Sequence, residues 1–432
     1  MRVCFYTLGC KVNLNETGAL EQLFRANGFT IAQENEPADV FVVNSCTVTN
    51  FGDQKSRKWL RRKKRENPGA VTVLTGCYPQ AFPEEAAQFT EADLVCGNGD
   101  RKAILDNVLK LLDGHERIVA ITPHQRGEKF EELPVERFET HTRAFIKVED
   151  GCNRQCAYCV IPRARGPVRS RDEASILAEL RQLAASGYRE VVLSAISLPS
   201  YGLDTGTNLV ELVEHCAQVE GIQRIRLGSL DPDMLTPEFI TRLAAVEKLC
   251  PQFHLSMQSG CDATLKRMNR KYDTARYLES VELLNRWFDR PAVTTDLITG
   301  FPEETEEEFA QTLDFIRKCR FAQMHIFPYS IRPGTPAAKM EQVPKAVKEE
   351  RARRAAAVAE EMHRSYLEGC VGRTYPVLFE QPKNGKFFGH APNYMEVLVD
   401  GAELHNALRT VRITDVDGEA LLGEIVEQEA ET

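Results

Sequence analysis

Three cysteines lie within eight residues of one another in the segment DGCNRQCAYCVIPRARG, where Cys152, Cys156 and Cys159 have the spacing Cys-x3-Cys-x2-Cys. Three thiolates this close in sequence can bind one metal centre. A cubane iron–sulfur cluster takes four ligands, so a three-cysteine loop leaves one iron free for a substrate, as catalytic zinc keeps an open position. Taken alone, these residues also allow a zinc site that a distant histidine completes.

A second set of cysteines is dispersed along the first part of the chain. Cys10, Cys46 and Cys77 each follow a predicted strand, in TLGCKVN, VVNSCTVTN and VLTGCYPQ. The carboxyl ends of parallel strands share one edge of a sheet, where ligands gather, so we predict that the three thiols meet around one metal centre. Packing in buried strands is the alternative for each cysteine. Cys96, in LVCGNGD, follows another strand and is a candidate fourth ligand.

The predicted elements that position these cysteines are α/β in class and fall into three parts. Residues 1–121 alternate strand and helix patterns, which predicts a parallel sheet. Residues 144–368 contain six strand–helix units, which suggests a partial barrel because a closed one needs eight. A polar, aperiodic linker is predicted over 122–143, and short strands with turns over 369–432 predict a small β-barrel.

Composition narrows the class of protein. The chain has 432 residues, 43% apolar and 27% charged, which excludes disordered and collagen-like classes. No apolar run reaches the length of a membrane span, and the start MRVCFYTLGCKVN lacks the order of a signal peptide. We therefore expect a cytoplasmic protein. In that reducing compartment, thirteen cysteines indicate metal ligation or redox chemistry and not a disulfide framework.

Charge is uneven along the sequence. The formal net charge of −9 produces no general attraction for nucleic acid, but residues 55–65, KSRKWLRRKKR, carry eight basic side chains and no acid. Without acidic neighbours these charges repel one another along a helix, which favours an anionic partner such as RNA. A solvated helix face is the alternative.

The cysteine-rich loop, with Tyr158 directly before Cys159, resembles the radical S-adenosylmethionine (SAM) superfamily. That resemblance implies a [4Fe-4S] cluster whose open iron binds SAM and generates a 5′-deoxyadenosyl radical. It also implies SAM contacts at the strand ends, for which Arg226, Ser229 and Gln258 are candidates together with Tyr158. The partial six-unit barrel is the fold of that superfamily.

The order of the three parts resembles the radical-SAM methylthiotransferases over nearly the whole chain. The resemblance implies a [4Fe-4S] cluster on each cysteine triad and a C-terminal TRAM domain, an RNA-binding β-barrel. TLGCKVN followed by VNSCTVT resembles the branch that acts on N6-threonylcarbamoyladenosine, whereas the sister branches tend to TYGCQMN and SLGCxKN.

This branch implies a defined reaction and a set of partners. Two SAM molecules would serve to replace the C2 hydrogen of the modified adenosine at position 37 of tRNA, in the anticodon stem-loop, with a methylthio group. An electron donor and a sulfur source are further implied. The alternatives are the sister substrates, an isopentenyladenosine in tRNA or an aspartate of a ribosomal protein, and a zinc-stabilised RNA-binding protein without catalysis.

Overall fold

The structure is a computed structural model and describes residues 1–135, 137–138, 142–383, 385–401 and 403–426. Its first part is a parallel six-stranded sheet in the order β2-β1-β3-β4-β5-β6. Both β3 and β4 are buried along their whole length, as strands covered by helices on both faces must be. The strands are β1 (Arg2–Thr7), β2 (Thr30–Ile31), β3 (Val40–Ser45), β4 (Val71–Gly76), β5 (Leu94–Cys96) and β6 (Ile118–Ala120).

Five helices connect these strands, and two of them begin at or beside a predicted ligand. The helix α1 starts one residue after Cys10, and α3 starts at Cys77 itself. The helices are α1 (Lys11–Ala26), α2 (Asn50–Glu66), α3 (Cys77–Ala81), α4 (Pro83–Ala87) and α5 (Lys102–Leu112).

The second part is the predicted partial barrel. Six parallel strands follow one another in chain order, and bridges from Ile225 to Leu249 and from Leu230 to Leu255 join its two halves. The sequence analysis missed one short antiparallel strand, β8. The strands are β7 (Ala144–Asp150), β8 (Arg169–Ser170), β9 (Glu190–Ala195), β10 (Arg224–Leu227), β11 (Gln252–His254), β12 (Ala292–Thr299) and β13 (Gln323–Pro328).

Eight helices accompany the barrel strands. The longest, α13, packs against β12 and β13 and leads into the last part of the chain. The helices are α6 (Ile161–Arg165), α7 (Glu173–Ala185), α8 (Leu209–Ala217), α9 (Pro237–Ala244), α10 (Asp262–Arg267), α11 (Thr274–Trp287), α12 (Glu306–Cys319) and α13 (Lys345–Glu368).

The third part is a closed five-stranded β-barrel in the order β14-β15-β16-β18-β17. Its apolar core is continuous with the partial barrel, because Ala292 and Ala322 of the latter pack with Phe379 and Val397. The α/β fold class and the three architectures are confirmed. The strands are β14 (Thr374–Lys383), β15 (Lys386–His390), β16 (Glu396–Val399), β17 (Leu408–Asp417) and β18 (Ala420–Ile425).

The predicted linker over 122–143 contains no helix or strand in the residues that the structure describes. It is nevertheless anchored, because Val135 and Phe138 belong to the core of the partial barrel. The backbone N–H of Phe138 donates to the Tyr188 hydroxyl over 2.7 Å. Ala19 of α1 belongs to the same core, so this segment contacts both the first and the second part of the chain.

Candidate active site

The three dispersed cysteines follow neighbouring strands at one edge of the N-terminal sheet. Cys10 comes after β1, Cys46 after β3 and Cys77 after β4. The strand order reverses between β1 and β3, so Cys10 and Cys46 flank the crevice in which open α/β sheets bind ligands.

Asn13 organises this triad. Its side-chain N–H groups donate to the carbonyls of Leu8, over 2.8 Å, and Ser45, over 3.1 Å, which ties the ends of β1 and β3 together. Its Oδ1 lies 3.8 Å from Cys10 Sγ and 4.0 Å from Cys77 Sγ. The structure therefore brings two of the predicted thiols to one atom.

Cys46 reaches the same place because Gly9 has no side chain. Gly9 has a φ of +111°, and a Cβ there would lie 3.2 Å from Cys46 Sγ and 2.9 Å from its Cβ. Only glycine fits such a close approach at a positive φ. Cys96 is not part of this group, because it is buried in an apolar core with its thiol 3.9 Å from the Leu74 carbonyl.

Arg165 connects the dispersed triad to the barrel. It ends α6, is fully buried, and lies six residues after Cys159. Its Nε donates to Cys77 Sγ over 3.2 Å and its Nη2 to Asn13 Oδ1 over 2.6 Å. Glu16 of α1 pairs with the same guanidinium.

The charges around Arg165 are unequal in number. Four cations share this region with three carboxylates, Glu16, Glu131 and Asp150; the cations are Arg101, Lys147, Arg165 and Arg169. Burial raises the pKa of Glu149 well above the ordinary value, which favours its neutral form. A buried excess of positive charge needs a counter-ion, and the Cys77 sulfur is placed to supply it. A cluster held through thiolates fits this donor set.

The Cys-x3-Cys-x2-Cys loop lies between β7 and α6, at the carboxyl end of the first barrel strand. Arg270 Nη1 lies 3.3 Å from Cys156 Sγ and 3.5 Å from the Tyr158 hydroxyl. Asp231 holds the same guanidinium over 2.8 Å. The backbone N–H of Arg154 donates to Cys152 Sγ over 3.4 Å.

Electrostatics at this loop also fit a cluster. Burial, followed by the like charges of Cys156 and Cys152, raises the pKa of Cys159 to about 12. Three adjacent thiolates therefore need nearby positive charge, which the irons of a cluster provide. Within the described ranges, no three His, Cys, Asp or Glu side chains form a site for a single metal ion; the ligands of a cubane each bind a different iron.

Two of the predicted SAM contacts lie at strand ends around this loop. Ser229 is exposed two residues after the end of β10 and two residues before Asp231. Gln258 has a φ of 66°, and its backbone is fixed by hydrogen bonds to Asp296 and Ile298 of β12, each 2.9 Å long. Tyr158 is partly buried and packs edge-on against Phe301. Contact between these three residues and SAM stays a prediction.

Arg226 is engaged elsewhere in the fold, and its contact with SAM also stays a prediction. The side chain is fully buried, and its Nε pairs with Glu190 over 2.9 Å. Its two terminal nitrogens donate to the carbonyls of Pro392 and Ala391 in the C-terminal barrel. All three nitrogens are thus committed to the protein itself.

The basic segment over 55–65 lies on α2, and four of its eight basic side chains are paired with acids from other elements. Acids from other elements supply the pairs that the segment itself lacks: Arg57–Glu85, Arg61–Glu91, Arg62–Glu34 and Lys64–Asp93, at 2.6 to 2.8 Å. For these four residues, unpaired charge no longer favours an anionic partner, and contact between the rest of the helix and RNA stays a prediction. No helix in the described part of the chain is long and apolar enough to cross a membrane.

Comparison with known proteins decides the family. Residues 146–316 match the Radical SAM superfamily and residues 2–97 match the Uncharacterized protein family UPF0004. The chain is 39% identical over 409 residues to the Bacillus subtilis "Threonylcarbamoyladenosine tRNA methylthiotransferase MtaB", covering 93% of this chain and 91% of that protein. The chain belongs to the radical-SAM methylthiotransferase family. It is therefore an enzyme that transfers a methylthio group.

Other methylthiotransferases in this family are similar at slightly lower identity. A Pelotomaculum thermopropionicum protein named "tRNA-2-methylthio-N(6)-dimethylallyladenosine synthase" is 34% identical, covering 91% of this chain and 90% of its own. Among solved structures, the radical SAM methyltransferase TsrM from Kitasatospora setae superposes with a TM-score of 0.58 at 15% identity, covering 90% of this chain and 77% of that one. That likeness supports the fold.

Sequence reasoning missed Asn13 and Arg270, and it did not place Arg165 beside the dispersed triad. All three lie in segments whose motifs resemble the family, so their positions were visible. Their roles were not, because Arg165 and Cys77 are 88 residues apart and Arg270 and Cys156 are 114 apart. Only the tertiary fold shows that each triad has one buried arginine beside one of its thiols.

Proposed function

We propose that this enzyme methylthiolates C2 of N6-threonylcarbamoyladenosine at position 37 of tRNA, with two SAM molecules and two [4Fe-4S] clusters. The observation that carries the proposal is the pair of cysteine triads, each with a buried arginine within 3.3 Å of a thiol. Four relatives named for threonylcarbamoyladenosine, 35–40% identical to this chain, support the choice of substrate.

The residues around Cys156 would hold and orient the radical-forming site. Cys152, Cys156 and Cys159 would bind a cluster that, once loaded, supplies the electron for SAM cleavage. Arg270 donates to the Cys156 sulfur and is itself held by Asp231. Ser229 and Gln258 would offer polar groups to SAM, while Tyr158 and Phe301 exclude water on the apolar side.

The residues around Asn13 would hold the sulfur-carrying site. Cys10, Cys46 and Cys77 would bind a second cluster, which when loaded presents the sulfur to be methylated and transferred. Asn13 keeps the Cys10 and Cys77 thiols in register, and Arg165 balances the added negative charge. Because Arg165 comes from the loop that carries the other triad, the two sites are held at a fixed separation.

Further parts of the proposal concern partners and surroundings. An electron donor and a sulfur source would serve the two sites, and the C-terminal barrel would bind the anticodon stem-loop.

The division at residues 121, 143 and 368 is retained as the proposed domain organisation. The thirteen cysteines are all free thiols, which favours action in the reducing cytoplasm. The non-catalytic zinc alternative is not favoured, because the chain belongs to a family of transferases.

Single-cysteine variants test the two-site assignment. Cys156→Ala should abolish formation of 5′-deoxyadenosine after anaerobic reconstitution, because two thiolates cannot hold a cluster with one open iron. Cys46→Ala should keep SAM cleavage, lose about half of the bound iron and make no methylthio product. Cys261→Ala, which changes a buried thiol outside both triads, is the matched control. Wild-type product formation by Cys46→Ala would remove the second site from the mechanism.

A further inference from the structure

Lys11 is a cation without a partner beside the dispersed triad. It directly follows Cys10 and occupies the first position of α1, a helix that packs against β7 and β9 of the partial barrel. Its side chain is only partly exposed. Its ammonium makes no hydrogen bond or ion pair with any residue that the structure describes.

Arg143, at the start of β7, also has an unused donor. Its Nη1 is buried and has no hydrogen-bond partner, while its Nη2 lies 3.4 Å from Glu380. The guanidinium groups of Arg143 and Arg226 stack on the ring of Tyr394, 4.8 and 4.7 Å from its centroid. Glu190 cannot serve Arg143, because Arg224 and Arg226 each pair with it over 2.9 Å.

This group of side chains therefore has an excess of positive charge. Four cations, Lys11, Arg143, Arg224 and Arg226, face two carboxylates, Glu190 and Glu380. His390, which also pairs with Glu380, adds little charge because burial lowers its pKa. Lys11 belongs to this group, because its ammonium interacts electrostatically with Arg226, Arg143 and Glu190. Cations removed from water without a counter-ion are costly, so this region favours an incoming anion.

The two modified adenosines that appear in the names of the relatives differ in charge. The threonylcarbamoyl group carries the free carboxylate of threonine, whereas the dimethylallyl group is a hydrocarbon. We infer that Lys11 and Arg143 bind the carboxylate of the threonylcarbamoyl group and so select this adenosine over its dimethylallyl counterpart. This inference rests on the proposed function.

The enzyme would prefer the threonylcarbamoyl substrate for two reasons: its carboxylate gains favourable contacts, and a hydrocarbon substituent in its place is penalised. A carboxylate would accept charge-assisted hydrogen bonds from Lys11 Nζ and Arg143 Nη1 and neutralise part of the excess. A hydrocarbon substituent would leave both donors unpaired and further remove them from water. Sites built to pair a polar group reject analogues that lack it far more strongly than apolar pockets reject an added group.

The test uses the reconstituted enzyme and an anticodon stem-loop RNA that carries threonylcarbamoyladenosine, as the free acid or as its methyl ester. The ester removes the charge and leaves the rest of the substituent. Wild-type enzyme should bind the acid at least about tenfold more tightly than the ester. Lys11→Gln and Arg143→Gln should each lose most of this preference while binding the ester as wild type does.

Controls separate this inference from a cluster defect and from the proposed function. Iron content and ester affinity report whether Lys11→Gln, next to Cys10, still has an intact site, and Arg143→Gln removes the second donor at a position outside α1. Lys345→Gln, an exposed lysine on α13, is the matched control. Equal wild-type affinity for acid and ester, or an unchanged preference in both variants, overturns the inference. Equal wild-type affinity for modified and unmodified RNA removes the proposed substrate as well.

Discussion

Arg165 is the residue through which the two triads are joined. It leaves the loop of Cys152, Cys156 and Cys159 and donates to Cys77 of the other triad. It also pairs with Glu16, and its Nη1 lies 3.4 Å from Asp150. Loss of this guanidinium would therefore affect charge balance in two parts of the fold at once.

We expect Arg165→Met to destabilise the protein strongly. Removing one partner from buried ion pairs leaves uncompensated carboxylates, at a cost of roughly 3 kcal/mol or more. The midpoint of thermal unfolding should fall by several degrees, and iron at the dispersed triad should be lost first. Arg163→Met, on the same helix, should change neither quantity, because the Arg163 guanidinium makes no ion pair in the described residues and contacts the Pro333 carbonyl and the Phe82 ring. Equal unfolding midpoints and equal iron contents in the two variants would contradict the role of Arg165 in joining the triads.

At the residue scale, the sequence predicted the cysteine ligands but not the side chains that contact them. Cys10, Cys46 and Cys77 follow from strand ends alone, because the geometry of a parallel sheet gathers those ends. The setting of Arg226 was not visible in the sequence, because a strand residue of an open barrel can face a neighbouring domain. The contact of Arg226 with Ala391 and Pro392 spans about 165 residues and has no local signal.

At the scale of elements, α2 shows how tertiary pairing changes a charge argument. Its basic side chains repel one another in sequence, but the fold places Glu34, Glu85, Glu91 and Asp93 against them. Exposed pairs of this kind contribute about 0 to 1 kcal/mol each. They therefore explain how the helix tolerates its charge and add little to stability.

We expect Arg61→Ala combined with Lys64→Ala to leave tRNA affinity nearly unchanged. Because both side chains are paired with acids, their loss should not alter the dependence of log K on log salt. If each instead contacted a phosphate, the slope would fall by roughly 0.9 per contact. Filter-binding titrations across a salt series distinguish the two cases, and a slope reduced by about two would restore the RNA-binding role of this helix.

Strand β9 contributes a pH-dependent contact through Glu190. Burial opposes ionisation, but the charges of Arg226 and Arg224 outweigh it and lower the pKa of Glu190 to about 2. The unfolded value is about 4.3. A lowered folded-state pKa stabilises the protein above the unfolded value, and that stabilisation is lost as the pH falls toward 2.

Glu190→Gln should therefore be less stable than wild type by roughly 3 kcal/mol at pH 7, from the size of the pKa shift. The difference should narrow as the pH falls below about 4.5, because wild-type Glu190 then gains a proton preferentially in the unfolded state. Urea unfolding midpoints at pH 7 and pH 4 measure this. A difference between the two proteins that is independent of pH would contradict the assigned cause.

At the scale of the whole molecule, the C-terminal barrel is part of the enzyme's core and not a loosely attached module. Ala292, Ala322 and Leu367 pack with its interior residues, and Arg224 and Arg226 donate to its backbone carbonyls. The strand and turn pattern predicted a small barrel. It could not predict this interface, because contacts between distant segments leave no periodicity in either one.

We expect a chain truncated after Glu368 to be poorly soluble and to unfold at a lower temperature than the full chain. Truncation would expose apolar surface and leave Arg224 and Arg226 buried without their carbonyl acceptors. Size-exclusion chromatography and thermal unfolding report the result. A monodisperse truncated protein with an unchanged melting temperature would show that the barrel is an independent module.

The central claim concerns the reaction and its substrate, and nucleoside mass spectrometry tests it most directly. Anaerobically reconstituted enzyme would be incubated with SAM, a reductant, sulfide and either of two tRNAs, bearing threonylcarbamoyladenosine or dimethylallyladenosine at position 37. The proposal predicts replacement of one hydrogen by a methylthio group on threonylcarbamoyladenosine alone. Product on dimethylallyladenosine, or no product on either tRNA from enzyme that holds full iron and cleaves SAM, would contradict it.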